Sequence, residues 1–535
     1  MRATLGAVLA VASWASAQNV VQLDLNRVAL PGIRVGKPPL LAPLRRRGTF
    51  TQTAINNITG GGYYVDIAVG NPPQKMSMVL DTGSSDAWVV SHDAEFCTNE
   101  KLQQAAGQAC GGTYNPGKSS SYKLLSEGGF SITYIDQSTA AGDYISDDFT
   151  IAGTTIKSLQ MGLVSDVDRG TGVLGIGYNS SESTIHTYPN LVDQFVNQGL
   201  ISSRAYSLWL NDRRSDAGTI LFGGIDKEKF IGPLNIVPVL PSDDGTEDGT
   251  YATFAVAFSS LKVASNGTSG AVPFANNDPI AAVLDTGTTL SYIPDSMAAA
   301  IYSDLGVVMD NQVSGLALID CTYLESDLTI TFGFGLKASA SASIAVPVYE
   351  MVLDIARDYQ SELGSNKAVT FSSICVFGLQ PMSRFSSGDD GDDFDDVLNS
   401  LALLGDTVLR SAYVVYDLDH NEIGLAQANL NSTASGPKDI VELNAAAAGI
   451  PSVTGVAAQQ TTYRPPQPTR TAGDSSSRTG SAGGVETVTV TGKPKQNSAA
   501  GGLGGGPARG PGAEALGVMA LAGVLAAVGG AVFAL

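Results

Sequence analysis

Along this chain, short apolar runs are broken every few residues by glycine, proline and polar turn formers. The clearest unit is an apolar-polar run from Tyr63 to Val69, a turn at Gly70-Asn71-Pro72-Pro73, and a second run over residues 75–80. That pattern predicts a β-hairpin whose second strand runs directly into Asp81, placing an acid at a strand's end. Only residues 189–198 and 294–305 combine a proline start with apolar positions three to four apart, so these two stretches predict helices. The rest reads mainly as strands, and the expected fold class is mainly β with a few short helices.

The pattern changes at both ends. Residues 1–17 carry Arg2, an apolar run over 5–14 and then Ala15-Ser16-Ala17, a small-x-small site of signal-peptidase type. This predicts a secretory signal and an oxidising destination. Residues 515–535 are uncharged to the last residue, preceded by a Gly/Pro/Ala spacer over 504–514 and by the small residues Asn497-Ser498-Ala499-Ala500. Together these predict a GPI-attachment tail over 503–535, with a tail-anchored membrane span as the alternative. Residues 431–502 are assigned to a Ser/Thr/Gly/Pro-rich stalk, richest from Ser452 to Gly502, that holds the body off the cell surface. Sequons at Asn57, Asn179, Asn266 and Asn431 agree with passage through the secretory pathway.

Composition narrows the function classes. The 535 residues are 43% hydrophobic and 15% charged, with a net charge of −20 that disfavours nucleic-acid binding. Charge is unevenly spread. Residues 18–47 hold one acid, Asp24, against Arg27, Arg34, Lys37, Arg45, Arg46 and Arg47. A cationic leader on an anionic body predicts a propeptide that covers an acidic cleft at neutral pH and loosens on acidification, with Arg45-Arg46-Arg47 as a processing site. A basic arm without inhibitory role is the alternative. Four cysteines without a C-x-x-C pair disfavour a zinc finger or a dithiol redox site, and allow three disulfide pairings. The three histidines, His92, His186 and His420, form no H-E-x-x-H, and no G-x-S-x-G occurs, so zinc-protease and serine-hydrolase chemistry lack their parts. No cofactor or metal is expected.

The chemistry lies in an internal duplication. Val79-Leu80-Asp81-Thr82-Gly83-Ser84-Ser85 returns as Val283-Leu284-Asp285-Thr286-Gly287-Thr288-Thr289. Each copy is followed by an apolar-Gly segment, Gly172-Val173-Leu174-Gly175-Ile176-Gly177 and Leu403-Leu404-Gly405-Asp406. Two similar lobes, drawn over 48–235 and 236–430, would bring Asp81 and Asp285 together across a pseudo-twofold. Two carboxyls at close range cannot both ionise cheaply and share one proton across an acidic range. The ionised member can take a proton from water while its protonated neighbour polarises a peptide carbonyl. Glycines permit the close approach of the two turns, and Ser84 and Thr288 can bond the outer carboxylate oxygens.

These residues resemble the pepsin-like aspartic proteases over residues 62–428. The likeness rests on Y-Y-V-D-I-A-V-G-N-P-P-Q, D-T-G-S-S-D-A-W, S-I-T-Y, G-V-L-G-I-G, L-D-T-G-T-T-L-S-Y and L-L-G-D-T-V-L-R, in family order. It implies a bilobal fold, catalytic Asp81 and Asp285, supporting Thr82, Gly83, Ser84, Thr286, Gly287 and Thr288, a flap tyrosine at Tyr134, and Trp88 bonded to it. The signal, leader, stalk and tail resemble the fungal yapsin-type, cell-surface branch, which implies a monomeric zymogen acting on proteins or peptides at acid pH. That likeness favours Cys97 with Cys110 and Cys321 with Cys375, loops worth about 3 and about 4 kcal/mol by chain entropy. After Tyr134 the family's Gly-x-Gly is replaced by Ile135-Asp136-Gln137. Asp136 matches a position where some relatives accept a basic P1 side chain. The run Asp389, Asp390, Asp392, Asp393, Asp395 and Asp396 reads as a solvated insertion or as an attractor for cationic substrates.

Two motifs are set aside. Residues 112–119 fit the P-loop pattern and residues 170–175 fit G-x-G-x-x-G, but neither is followed by a helix-forming run. A non-enzymatic binding module on the same fold is the rival class, disfavoured by retention of both D-T-G turns.

Overall fold

Asp81 ends one strand and Asp285 directly follows another, and the neighbours of those two strands repeat in the same order. The computed structural model describes residues 20–27, 62–106, 110–135, 138–213, 217–242, 249–265, 268–272, 278–311, 314–336, 341–354, 369–385, 398–430, 432 and 439–457. Gln74–Asp81 lies parallel to Gly172–Gly175 with Asp81 opposite Gly175, and Ile280–Leu284 lies parallel to Leu401–Leu404 with Leu284 opposite Leu404. Ala87–Val90 then runs antiparallel to Gly172–Gly175 and parallel to Thr154–Val167. Ser291–Ile293 does the same against Leu401–Leu404 and Leu379–Pro381. Both inner strands, Gly172–Gly175 and Leu401–Leu404, are buried from end to end, which is why they read as near-continuous apolar runs.

The repeats belong to two large sheets. One has thirteen strands and runs from Phe230–Pro238 through Glu422–Ala428, Ala412–Asp417, Ala205–Trp209 and Ala217–Phe222 into the sheet of the first lobe, ending at Thr139–Ile151 and Lys123–Thr133. The other has eight strands and forms the second lobe. Strands from both halves of the chain alternate in the shared stretch, and an aromatic seam fills its face. Tyr206 stacks on Tyr416 with centroids 5.0 Å apart, and Phe254 meets Tyr416 edge-on at 4.6 Å. This is the mainly β, bilobal architecture of the pepsin-like enzymes.

The two helices expected from the sequence form at Leu191–Asn197 and Asp295–Leu305. Each is shorter than the periodic stretch because its proline lies before the first turn; the Asn190 side chain caps the first helix, while Pro294 stands at the N-cap position of the second without a side-chain capping hydrogen bond. Further short helices, Glu95–Thr98, Glu100–Ala106 and Asp406–Leu409, escaped the periodicity because each is too short to show it. Cys97 pairs with Cys110 and Cys321 with Cys375. Of the set-aside motifs, residues 112–119 contain only the 3-10 turn Pro116–Lys118, and Gly172–Gly175 is a buried strand. Neither supplies the helix N-terminus that phosphate binding needs.

Three boundaries move. The lobe division between 235 and 236 falls inside the strand Phe230–Pro238, which belongs to the shared sheet. Composition marked no break there because the strand is apolar on both sides of it. The leader's described part is a strand, Val21–Arg27, paired over six positions with Ala217–Phe222 and at its end with Tyr63–Val69. It is thus a member of the sheet as well as a cationic segment, a role that charge counting does not reveal. The stalk, drawn from Asn431, starts too early. Ile440–Glu442 pairs with Gly224–Asp226, Thr454 and Val456 bridge to Pro233 and Ile231, and Leu443 and Ile450 are buried. Sparse apolar residues hid this segment, because two anchors suffice for a strap laid on an existing surface. The signal, the Ser/Thr-rich run beyond residue 457, the tail, Asp136, the run 389–396, Asn57, Asn266 and Asn431 lie outside the described residues. No described helix is long and apolar enough to cross a membrane.

Leu443, packed with Ile225, Phe230 and Tyr413, is 1% exposed. Leu443→Ala is expected to destabilise the body by about 2–4 kcal/mol in denaturant unfolding. An unchanged midpoint would return this segment to the stalk.

Candidate active site

Each D-T-G turn folds back on its own acid. The Gly83 N–H donates to Asp81 Oδ1 at 2.8 Å, and the Gly287 N–H donates to Asp285 Oδ1 at 2.7 Å. The Ser84 hydroxyl donates to Asp81 Oδ2, and Thr288 Oγ1 donates to Asp285 Oδ2 at 2.5 Å. Both carboxyls are fully buried. The turns approach so closely that a Cβ on Gly83 would stand 2.6 Å from Asp285 Oδ1, and one on Gly287 would overlap Asp81. Glycine is required at both positions for that reason.

Reciprocal bonds between the middle residues hold the turns in register. Thr82 Oγ1 donates to the Leu284 carbonyl at 2.9 Å and accepts the Thr286 N–H at 3.0 Å. Thr286 Oγ1 donates to the Leu80 carbonyl at 2.9 Å and accepts the Thr82 N–H at 3.2 Å. Each threonine therefore satisfies a backbone donor and a backbone acceptor of the opposite lobe, where no water could do so.

Burial pushes both carboxyls up from the usual carboxylate range. For Asp81 the neighbouring charge of Asp285 adds to burial, while the Ser84 and Gly83 donors oppose it. For Asp285 the Thr288, Asp81 and Gly287 hydrogen bonds work against burial. The physical outcome belongs to the pair: one proton is held between two acids well into the range where isolated carboxyls have lost theirs.

Lys123–Thr133 and Thr139–Ile151 form a long hairpin. At its turn Tyr134 is buried, and its phenol accepts the Trp88 indole N–H at 2.6 Å. Asn179 opens a 3-10 turn and donates its side-chain amide to Asp193 Oδ2 at 3.0 Å. One cluster has the residue types of a metal site, Cys321, Asp354 and Cys375. Its two sulfurs are bonded to one another, so the thiolates that a metal would need are absent.

Sequence analysis passed over a second acid pair, Asp86 and Glu182. Asp86 accepts the Tyr144 hydroxyl at 3.0 Å, the Tyr188 hydroxyl at 2.7 Å and the Ser183 N–H at 2.7 Å. Glu182 accepts the Tyr188 N–H at 2.7 Å, and its other oxygen is buried with no hydrogen-bond partner among the described residues. A signal existed: Asp86 precedes Trp88 by two, which puts both on one face of an extended chain. Burial pushes Glu182 up to about 9. An unfolded glutamate loses its proton near about 4.3. Between those values the folded state holds the extra proton, so this group makes stability fall as pH rises. Glu182→Gln is expected to flatten the decline of unfolding free energy between about pH 5 and about pH 8. Denaturant titrations across that range check it, and an unchanged slope would refute the assignment.

Comparison with known proteins agrees with this geometry. The family model for eukaryotic aspartyl proteases matches residues 62–428. A probable aspartic-type endopeptidase, OPSB, of Arthroderma benhamiae is 36% identical over 402 residues, covering 74% of this chain and 73% of its own. The opsB protein of Aspergillus fumigatus, described in the same words, is 36% identical over 499 residues, covering 92% and 90%. Secreted aspartic protease 8 of Candida albicans is 32% identical over 393 residues, covering 74% and 82%. With two mirrored D-T-G turns meeting at the junction of two β lobes, the chain belongs to the eukaryotic aspartyl protease family and is an aspartic-type endopeptidase, related to fungal secreted enzymes.

Proposed function

We propose that the chain is a secreted, acid-acting endopeptidase in which Asp81 and Asp285 together activate a water molecule against a peptide bond. The observation that carries this reading is the mutual burial of the two carboxyls, each with one N–H and one hydroxyl donor on its own turn. In the first step the ionised carboxyl takes a proton from water as its oxygen attacks the scissile carbon. The protonated carboxyl meanwhile gives its proton to the carbonyl oxygen, so a tetrahedral diol forms and the dyad still holds one proton. As the diol collapses and the C–N bond breaks, that proton passes to the leaving nitrogen while a diol hydroxyl returns its proton to the other carboxylate, and the dyad again holds one proton. Thr82, Gly83, Ser84, Thr286, Gly287 and Thr288 hold the acids in place. Tyr134, bonded to Trp88, closes the flap over substrate.

The finer assignments rest on the chain's ends and its flap. The enzyme is made as a monomeric zymogen with a cleaved signal, and its leader is released after Arg45-Arg46-Arg47. Pairing of Val21–Arg27 inside the sheet supports a stabilising leader and means that release requires withdrawing a strand. The composition of the tail over 503–535 supports a yapsin-type reading, GPI-anchored at the plasma membrane or wall on a glycosylated stalk. Asn57, Asn179, Asn266 and Asn431 are the N-glycosylation acceptors. Asp136 favours a basic P1 residue, which fluorogenic peptides differing only at P1 would test: faster cleavage after Leu or Phe than after Lys or Arg refutes it.

Asp81→Asn and Asp285→Asn are each expected to lower kcat by at least about 1,000-fold with the fold retained, because neither variant can hold a proton shared between two carboxyls. Because both acids are shifted upward, wild-type activity is expected to persist above the ordinary carboxyl range and to fall as pH rises through the loss of the last shared proton. Pepstatin-inhibited kcat/KM profiles check both. Full activity in either variant would overturn the mechanism.

A further inference from the structure

Between Thr154–Val167 and Gly172–Gly175 a short loop carries Arg169 toward the flap. Its guanidinium carbon lies 5.2 Å from the centroid of the Tyr134 ring, and its Nη2 donates to the Ser138 hydroxyl. These residues stand on opposite sides of the hairpin turn, which is closed by the Tyr134 N–H bonded to the Ser138 carbonyl at 2.9 Å. One cation therefore touches both arms of the flap. The side chain is 17% exposed, so the contact is partly withdrawn from water, where the attraction of a cation for an aromatic face grows.

The loop that presents Arg169 is itself braced. The Gly111 N–H donates to the Gly170 carbonyl at 2.8 Å. Gly111 follows Cys110, whose disulfide partner Cys97 packs against the cluster containing Trp88, Phe130 and Tyr134. Flap tyrosine, arginine loop and disulfide loop form one connected unit.

We infer that Arg169 is the positioning residue that holds the flap hairpin over the dyad, through one aromatic ring and one hydroxyl. The chemistry of its two flap contacts suits an enzyme that works in acid. Both contacts are made to groups, an aromatic ring and a serine hydroxyl, that stay neutral in acid. Asp168, whose carboxylate lies 3.7 Å from Arg169 Nε, is 54% exposed and sits on the loop, not on the flap. A latch between flap and loop built from a carboxylate would weaken under the conditions in which the enzyme acts.

This inference rests on the assignment of the Tyr134 hairpin as the flap, and the test separates the two. Full-length enzyme, activated in acid, is compared as wild type, Arg169→Met, Arg169→Lys, Ser138→Ala and Tyr134→Ala, with active sites counted by pepstatin titration. Arg169→Met is expected to raise KM about 5- to 30-fold with a smaller change in kcat, and to speed pepstatin dissociation. Arg169→Lys should restore part of the loss by keeping the charge over the ring, and Ser138→Ala should reproduce only the hydroxyl's share. Unchanged KM and inhibitor dissociation per active site in Arg169→Met, with Tyr134→Ala impaired, would overturn the latch and leave the flap assignment standing. If Tyr134→Ala is also unimpaired, the flap assignment itself falls.

Discussion

Two carboxyls stripped of water at the junction of two lobes set the terms for everything else in this molecule. An isolated buried carboxylate is strongly disfavoured, and two at close range more so, unless each meets donors and the pair keeps a proton. Asp81 and Asp285 each have a glycine N–H and a hydroxyl on their own turn. Those local donors fix each acid relative to its own lobe only. The distance between the acids is set by Thr82 and Thr286, whose hydroxyls reach across to the opposite backbone. A small relative shift of the lobes would break these bonds and the shared proton together.

Larger structure resists that shift. The sheet that joins the lobes draws strands from both halves of the chain, so neither half can move without disrupting a ladder. Two further segments, far apart in the chain, brace it. Val21–Arg27 occupies an interior place in that sheet between Ala217–Phe222 and Tyr63–Val69, and Ile440–Glu442 pairs with Gly224–Asp226 in a separate two-stranded sheet. A buried ion pair adds a further tie: Arg410 Nε donates to Glu350 Oε2 at 2.7 Å, and the Arg213 N–H reaches the same carboxylate at 3.2 Å. Loss of one partner from such a pair leaves the other charge buried alone, at a cost of about 3–5 kcal/mol.

Acid suits this body in several independent ways. A net charge of −20 at neutral pH is a source of self-repulsion that protonation relieves. Glu182, pushed up to about 9, is at ease only when neutral. The dyad keeps its proton, since burial pushes both carboxyls up. For Glu182 and the dyad, function and stability therefore lean the same way along the pH axis, whereas Asp419, lowered against the pull of burial by hydrogen bonds from Arg204 and Ser203, leans the other way.

The duplicated D-T-G turns, the apolar strands leading into them and the two proline-led helices were legible in the residues, because strand alternation, turn chemistry and helix capping are local. Those local rules settled the class of fold and pointed to the two acids. The resemblance added the disulfide pairing and the flap tyrosine. What no local rule could supply was placement between distant segments. The leader's strand, the strap around Leu443, the reciprocal threonine bonds, the acid pair of Asp86 and Glu182, and Arg169 against Tyr134 and Ser138 all depend on residues that meet only after folding. An arginine in a polar loop looks like any surface charge until the hairpin folds over it. Only the tertiary structure decides such contacts, since burial and neighbouring charge are properties of the packed chain and not of the residues in order.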